Sequence, residues 1–175
     1  GAIPQYLLIY GSPTEIPWAV QYSLNLSAFV GRLDLTVEEG LGNYVEALIS
    51  GWSHLPRGDA GKPLVWSADW GRPDVTFLLS KLIAKALADR FANDDETSQY
   101  SWLTGADATC GALGDALRAQ SPGFICTTSH GMTGPLGDPS ATIATLGSPV
   151  DSGRQALPLD QLDGWHSGGA IWYSH

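Results

Sequence analysis

The residues best suited to chemistry lie where a β-branched run, Phe124-Ile125-Cys126-Thr127-Thr128-Ser129, gives way to His130-Gly131. A strand ending there sets an imidazole at the rim of a sheet, where it can move protons. The missing side chain of Gly131 lets a backbone N–H approach a substrate carbonyl. A base beside an oxyanion donor suits acyl transfer; the bland alternative is a histidine that merely ends a strand and bonds locally. Neither cysteine completes the set well. Cys126 precedes His130 on the same predicted strand, about 13 Å away at about 3.3 Å per residue, and reads as a small buried hydrophobe. Cys110 stands near a predicted helix start, where the helix dipole could lower its thiol pKa.

Asp69, Trp70 and Arg72 follow another predicted strand and are candidates to line a substrate pocket, as are Asp138 and Asp151 in the loop after His130. Taken singly, each also reads as an ordinary loop residue. His54 and His166, beside Trp52 and Trp165, read as solvated or stacking side chains. No histidine or cysteine pair has metal-ligand spacing and no Walker-type loop occurs, so neither metal nor cofactor is expected.

The elements that must position these groups alternate. Tyr6–Tyr10 is a continuous apolar run closed by turn residues, the pattern of a strand buried on both faces; Pro63–Ser67, Tyr100–Leu103 and the β-branched run Phe124–Ser129 read as further strands, and Gly168–Ser174 as one more buried strand. Thr36-Val37-Glu38-Glu39 has capping-box spacing and opens a predicted helix with a stripe of Leu41, Tyr44, Val45, Leu48, Ile49 and Trp52. A stronger helix runs from Pro73 with Leu78, Leu79, Leu82, Ile83, Ala86, Leu87 and Phe91 as its stripe, and Thr109 caps a third carrying Leu113, Ala116 and Leu117. The stretch after His130 reads as a surface excursion with little helix. The expectation is an α/β fold, a three-layer α-β-α sandwich with a mainly parallel central sheet, in which chemistry gathers at strand carboxyl ends.

At 43% hydrophobic and 15% charged residues, the 175-residue chain suits one folded domain spanning residues 1–175. A net charge of −9 argues against nucleic acid as a partner, although it speaks to steering rather than to any pocket. Two cysteines suit a reducing compartment, with the cytoplasm as the expected location. No apolar run reaches the roughly 18 to 20 residues that span a bilayer and no signal peptide is visible, so no membrane partner is expected.

Ser129-His130-Gly131, followed roughly forty residues later by a second buried strand ending in Tyr173-Ser174-His175, resembles the clan of cysteine peptidases that includes caspases, gingipains and CHAT-domain proteases. Tyr6 to Arg32, with its Gly-Ser-Pro turn, Glu15-Ile16-Pro17, Gln21-Tyr22 and Val30-Gly31-Arg32, looks like the start of bacterial gingipain-like domains. The resemblance implies a caspase-like fold and a cysteine endopeptidase: His130 as base, the Gly131 N–H in the oxyanion hole, and a nucleophilic cysteine ending the next core strand. That strand reaches Ser174-His175 with no cysteine, so the nucleophile is expected just after His175, in a domain incomplete at its C-terminal end. The implied partners are a protein or peptide substrate and the remaining C-terminal part of the parent protein, with the 175 residues inactive alone. The rival readings are a non-catalytic caspase-like regulatory or partner-binding module and an unrelated parallel α/β hydrolase or ligand-binding domain. The peptidase reading requires strands 124–129 and 168–174 to be parallel neighbours, with His130 and His175 opening into one cleft; the unrelated-fold reading does not.

Overall fold

The computed structural model describes residues 4–35, 38–54 and 57–175. The chain divides into two compact units, Gly1–Gly51 and Trp52–His175. In the first, β1 (Tyr6–Tyr10) pairs in parallel with β2 (Phe29–Leu33), and the connection between them carries a short helix, α1 (Trp18–Leu24). Arg32 holds this connection together. Its guanidinium donates to the carbonyls of Gly11 (2.7 Å) and Ile16 (2.8 Å) and to Gln21 Oε1 (3.0 Å), with its face 4.9 Å from the Trp18 ring. Neither α1 nor β2 is evident from sequence pattern, because α1 is a two-turn helix without a side-chain cap and β2 contains Gly31 and the charged Arg32.

α2 (Glu38–Ile49) forms as predicted, although the proposed capping residue Thr36 lies outside the described residues. Its apolar stripe does not bury as expected: Leu48 is 52% and Ile49 82% exposed.

The second unit carries a four-stranded, wholly parallel sheet in the order β4-β3-β5-β6, formed by β3 (Leu64–Ser67), β4 (Ser101–Thr104), β5 (Phe124–Thr128) and β6 (Ile171–Ser174). One helical rod connects β3 to β4: α3 (Val75–Leu79), a π-helical turn (Ser80–Ala84), then α4 (Lys85–Ala92). The turn packs on β3 and β5. Thr76, Ser80, Ala84 and Ala88, one per turn, are its buried residues, so the seam is made of small side chains that let the rod approach the sheet. The stripe read from the sequence is thus displaced: Leu78 and Leu82 are exposed.

On the opposite face, α5 (Cys110–Gln120) packs Leu113, Ala116 and Leu117 against Leu64, Trp66 and Ile125, with Leu157 of the β5–β6 connection in the same cluster. The Trp66 indole is fully buried and donates to the Thr109 carbonyl at 3.1 Å. Alternation along each strand turns Val65, Ser67 and Cys126 towards the helical rod. Helices on both sheet faces give the three-layer α/β arrangement expected from the sequence. The β5–β6 excursion contains α6 (Pro139–Thr145), capped by Asp138, and a 3₁₀ turn (Leu159–Leu162) that packs on α5.

The connection leaving β3 covers one face and the one leaving β5 covers the other. The carboxyl ends of these adjacent strands therefore flank a topological switch point, where open parallel sheets leave a crevice for ligands.

Candidate functional site

Two loops meet at this switch point. His130 follows β5, and Asp74 follows β3 as the N-cap of α3. Nε2 of the imidazole lies 3.0 Å from both carboxylate oxygens of Asp74. The same carboxylate accepts from the Thr76 N–H (2.8 Å) and the Thr76 hydroxyl (2.6 Å). Those two bonds, reinforced by His130, hold the Asp74 carboxyl down at about 2. An ionised carboxylate can only accept, so Nε2 carries a hydrogen, and in the neutral tautomer that this selects the lone pair is on Nδ1. Nδ1 has no hydrogen-bond partner among the described residues.

Trp70 lies against the imidazole, ring centroids 4.7 Å apart. The indole N–H donates to the Asp151 carbonyl (3.0 Å) and the Trp70 backbone N–H to the Thr76 hydroxyl (3.0 Å), so the ring is tied to both loops. On Trp70 also sits the Arg154 guanidinium, 4.6 Å from the ring.

Gly131 forms a bridge with Pro149 in which the flanking bonds are Val150 N–H to the His130 carbonyl (2.9 Å) and Met132 N–H to the Ser148 carbonyl (2.8 Å). Gly131 is thus at the non-hydrogen-bonded position, with its own N–H facing away from the partner segment. A side chain here would crowd the Gly147 backbone, 3.3 Å from a Cβ.

The other sequence candidates separate. Asp69 accepts from the Gly71 N–H (2.9 Å) and so closes the loop that carries Trp70, while the Arg72 guanidinium lies 4.8 Å from the Phe77 ring. Arg72 and Arg154 line one groove with Trp70 and Asp74, so the structure joins Arg72 to the site and leaves Asp69 to support it. Asp138 caps α6. Buried Asp151 braces the return loop, accepting from the N–H groups of Cys110 (3.1 Å) and Gln155 (2.9 Å).

Both cysteines are buried. Burial, then the Asp151 charge, pushes the Cys110 thiol up to about 12, contrary to the lowering expected at a helix start; burial alone pushes Cys126 up to about 11. Neither supplies a thiolate.

β5 and β6 are parallel neighbours, and the pairing extends past their ends: Ser129 N–H donates to the His175 carbonyl (3.1 Å) and His175 N–H to the Thr127 carbonyl (2.9 Å). The His175 ring stacks on Tyr173 and, among the described residues, forms no hydrogen bond or ring pair with His130.

Asp74 and Arg154 are the site residues that sequence reasoning missed. Asp74 was legible as a helix cap, in Pro73-Asp74-Val75-Thr76, but its approach to a residue 56 positions away was not. A larger cavity of about 880 Å³, in the first unit, is lined by residues such as Gln5, Asn25 and Phe29 and offers no carboxylate, imidazole, amine or thiol. Among the described residues, no cluster of three His, Cys, Asp or Glu could hold a metal, and no helix is long and apolar enough to cross a membrane. No family model, curated protein or solved structure matches the chain.

Proposed function

We propose that the chain is the histidine-bearing part of a caspase-like or gingipain-like cysteine endopeptidase domain, whose nucleophile is a cysteine just after His175. The observation that carries this reading is the parallel pairing of β5 with β6, which brings His175 level with Thr128, two positions short of His130. Continued for two residues, the register sets a new residue level with His130. The geometry around the imidazole supports the same reading.

In this mechanism Nδ1 of His130 takes the thiol proton as sulfur bonds to the scissile carbonyl carbon, and the Gly131 N–H donates to the resulting oxyanion. The C–N bond then breaks, the imidazolium returns the proton to the departing amine, and water hydrolyses the thioester. Asp74 holds the tautomer and steadies the imidazolium. Buried, unpaired thiols suit a reducing compartment, and we place the protein in the cytoplasm.

The test is thiol-probe labelling of the longer parent protein, wild type against His130→Ala, with the labelled residue mapped by mass spectrometry. Labelling just after His175 that depends on His130 is expected. Labelling elsewhere, or none under varied activation conditions, favours a non-catalytic module of the same fold.

A further inference from the structure

We infer that the chain pairs with a second copy of itself through its first unit, α2 of each copy covering the open face of the β1–β2 pair in the other. The inference is independent of the peptidase reading.

The β1–β2 pair has one covered face and one bare face. On the covered face Ile9 lies level with Arg32, whose guanidinium holds the connection that carries α1. Alternation turns Tyr6, Leu8 and Tyr10 to the other face, together with Phe29. Tyr6 and Phe29 are level and stack with ring centroids 5.4 Å apart, and a Cβ on Gly31 would lie 3.7 Å from Cδ1 of Leu8. These four apolar side chains are between 54% and 71% exposed. Parallel strands are covered on both faces by helices, so the cover this face lacks is a helix with an apolar stripe.

α2 is such a helix. Val45, Leu48 and Ile49 follow at steps of three and one, which sets them on one stripe, and all three are exposed. Sheet face and stripe therefore leave each other uncovered within one chain, which carries both halves of a complementary contact. A two-fold axis uses both halves at once, because residue i of one copy meets j of the other and j meets i. At roughly 200 Å² for a large apolar side chain, the open surface is on the order of 500 Å² on the sheet face and about 300 Å² on the stripe. Formed twice, the contact buries about 1,600 Å², the size of a specific interface, whereas a single contact with a foreign helix stays near the roughly 800 Å² of casual packing. None of the seven side chains is charged, while each copy carries a net charge of −9. Association is thus driven by apolar burial and opposed by repulsion between the copies.

The experiment is sedimentation velocity of the 175-residue chain at micromolar concentrations. A dimer is expected, and it should tighten as salt rises, because screening removes the repulsion. Leu8→Glu on the sheet face and Ile49→Glu on the stripe should each weaken it by on the order of tenfold or more, since each buries a charge. Leu82→Glu, at an equally exposed position of the second unit, should leave it unchanged. Leu8→Cys and Ile49→Cys give milder variants whose new thiols are the reactive ones, because both native cysteines are buried. A mixture of the two should cross-link with a short bis-maleimide, and neither should do so alone. A monomer at every concentration, assembly that grows beyond the dimer, a dimer that survives both Glu variants, or cross-linking of either cysteine variant alone as readily as of the mixture would overturn the inference. Thiol labelling of the parent protein tests the peptidase reading and has no bearing on this one.

Discussion

β1 and β3 are both short apolar runs that pair in parallel, yet they end in opposite circumstances. Leu64, Val65 and Trp66 of β3 are fully buried, with strands on both sides and helices on both faces. In β1, Ile9 is buried but Tyr6 is 71% and Leu8 64% exposed, and among the described residues β2 is its sole strand partner. Among the described residues of the first unit, Ile9 alone is buried. A parallel pair closes no hydrophobic layer by itself, because burial on both faces needs covering helices and further strands. The second unit has them, so its strands can hold loops rigidly enough to build a site, whereas β1 and β2 depend on local devices such as the Arg32 clamp.

The largest expected effect separates the two regions directly. Trp66→Ala should cost about 3–5 kcal/mol in urea unfolding, through the cavity left and the lost bond to Thr109, while Tyr6→Ala should cost under about 1 kcal/mol. Similar losses at the two positions would break the contrast. A second measurement sharpens it: Cys110 and Cys126 should resist alkylation at neutral pH until the sheet of the second unit opens, so both thiols should become reactive across the same urea range as the Trp66 environment changes. Prompt labelling of either would mean that this core is looser than the structure has it.

The smallest effect lies in acid. Asp74 is held at about 2 against an ordinary 3.8, so its ionised form favours the folded state above about pH 4, and that contribution is lost as pH falls towards 2. The stability difference between wild type and Asp74→Asn should therefore narrow over that range. A difference that is flat with pH would show that the carboxylate charge is not what the site holds.

Much of the second unit was legible because its strands are continuous apolar runs and Thr109 caps its helix in the expected way, accepting from the Ala112 N–H. His130-Gly131 could be read as a strand-end pair for the same reason. The burial of α2 and the rod of α3 and α4 was not, since periodicity marks an apolar stripe without saying which part of it meets a neighbour. Leu82 and Ile49 are apolar and exposed, while Ser80 and Thr76 are polar and buried.

The amino-acid order by itself determined the alternation of strands and helices, the parallel sheet that follows from it, and the placing of an imidazole and a bare glycine at one strand's end. These depend on side-chain periodicity and backbone preference, which act over a few residues. Only the tertiary structure decided that Asp74 meets His130, that Trp70 contacts both the imidazole and Arg154, and that Cys110 is a buried thiol rather than an acidic one. Such contacts join segments dozens of residues apart, and their geometry is set by strand order and loop closure, which leave no mark on any local stretch of sequence.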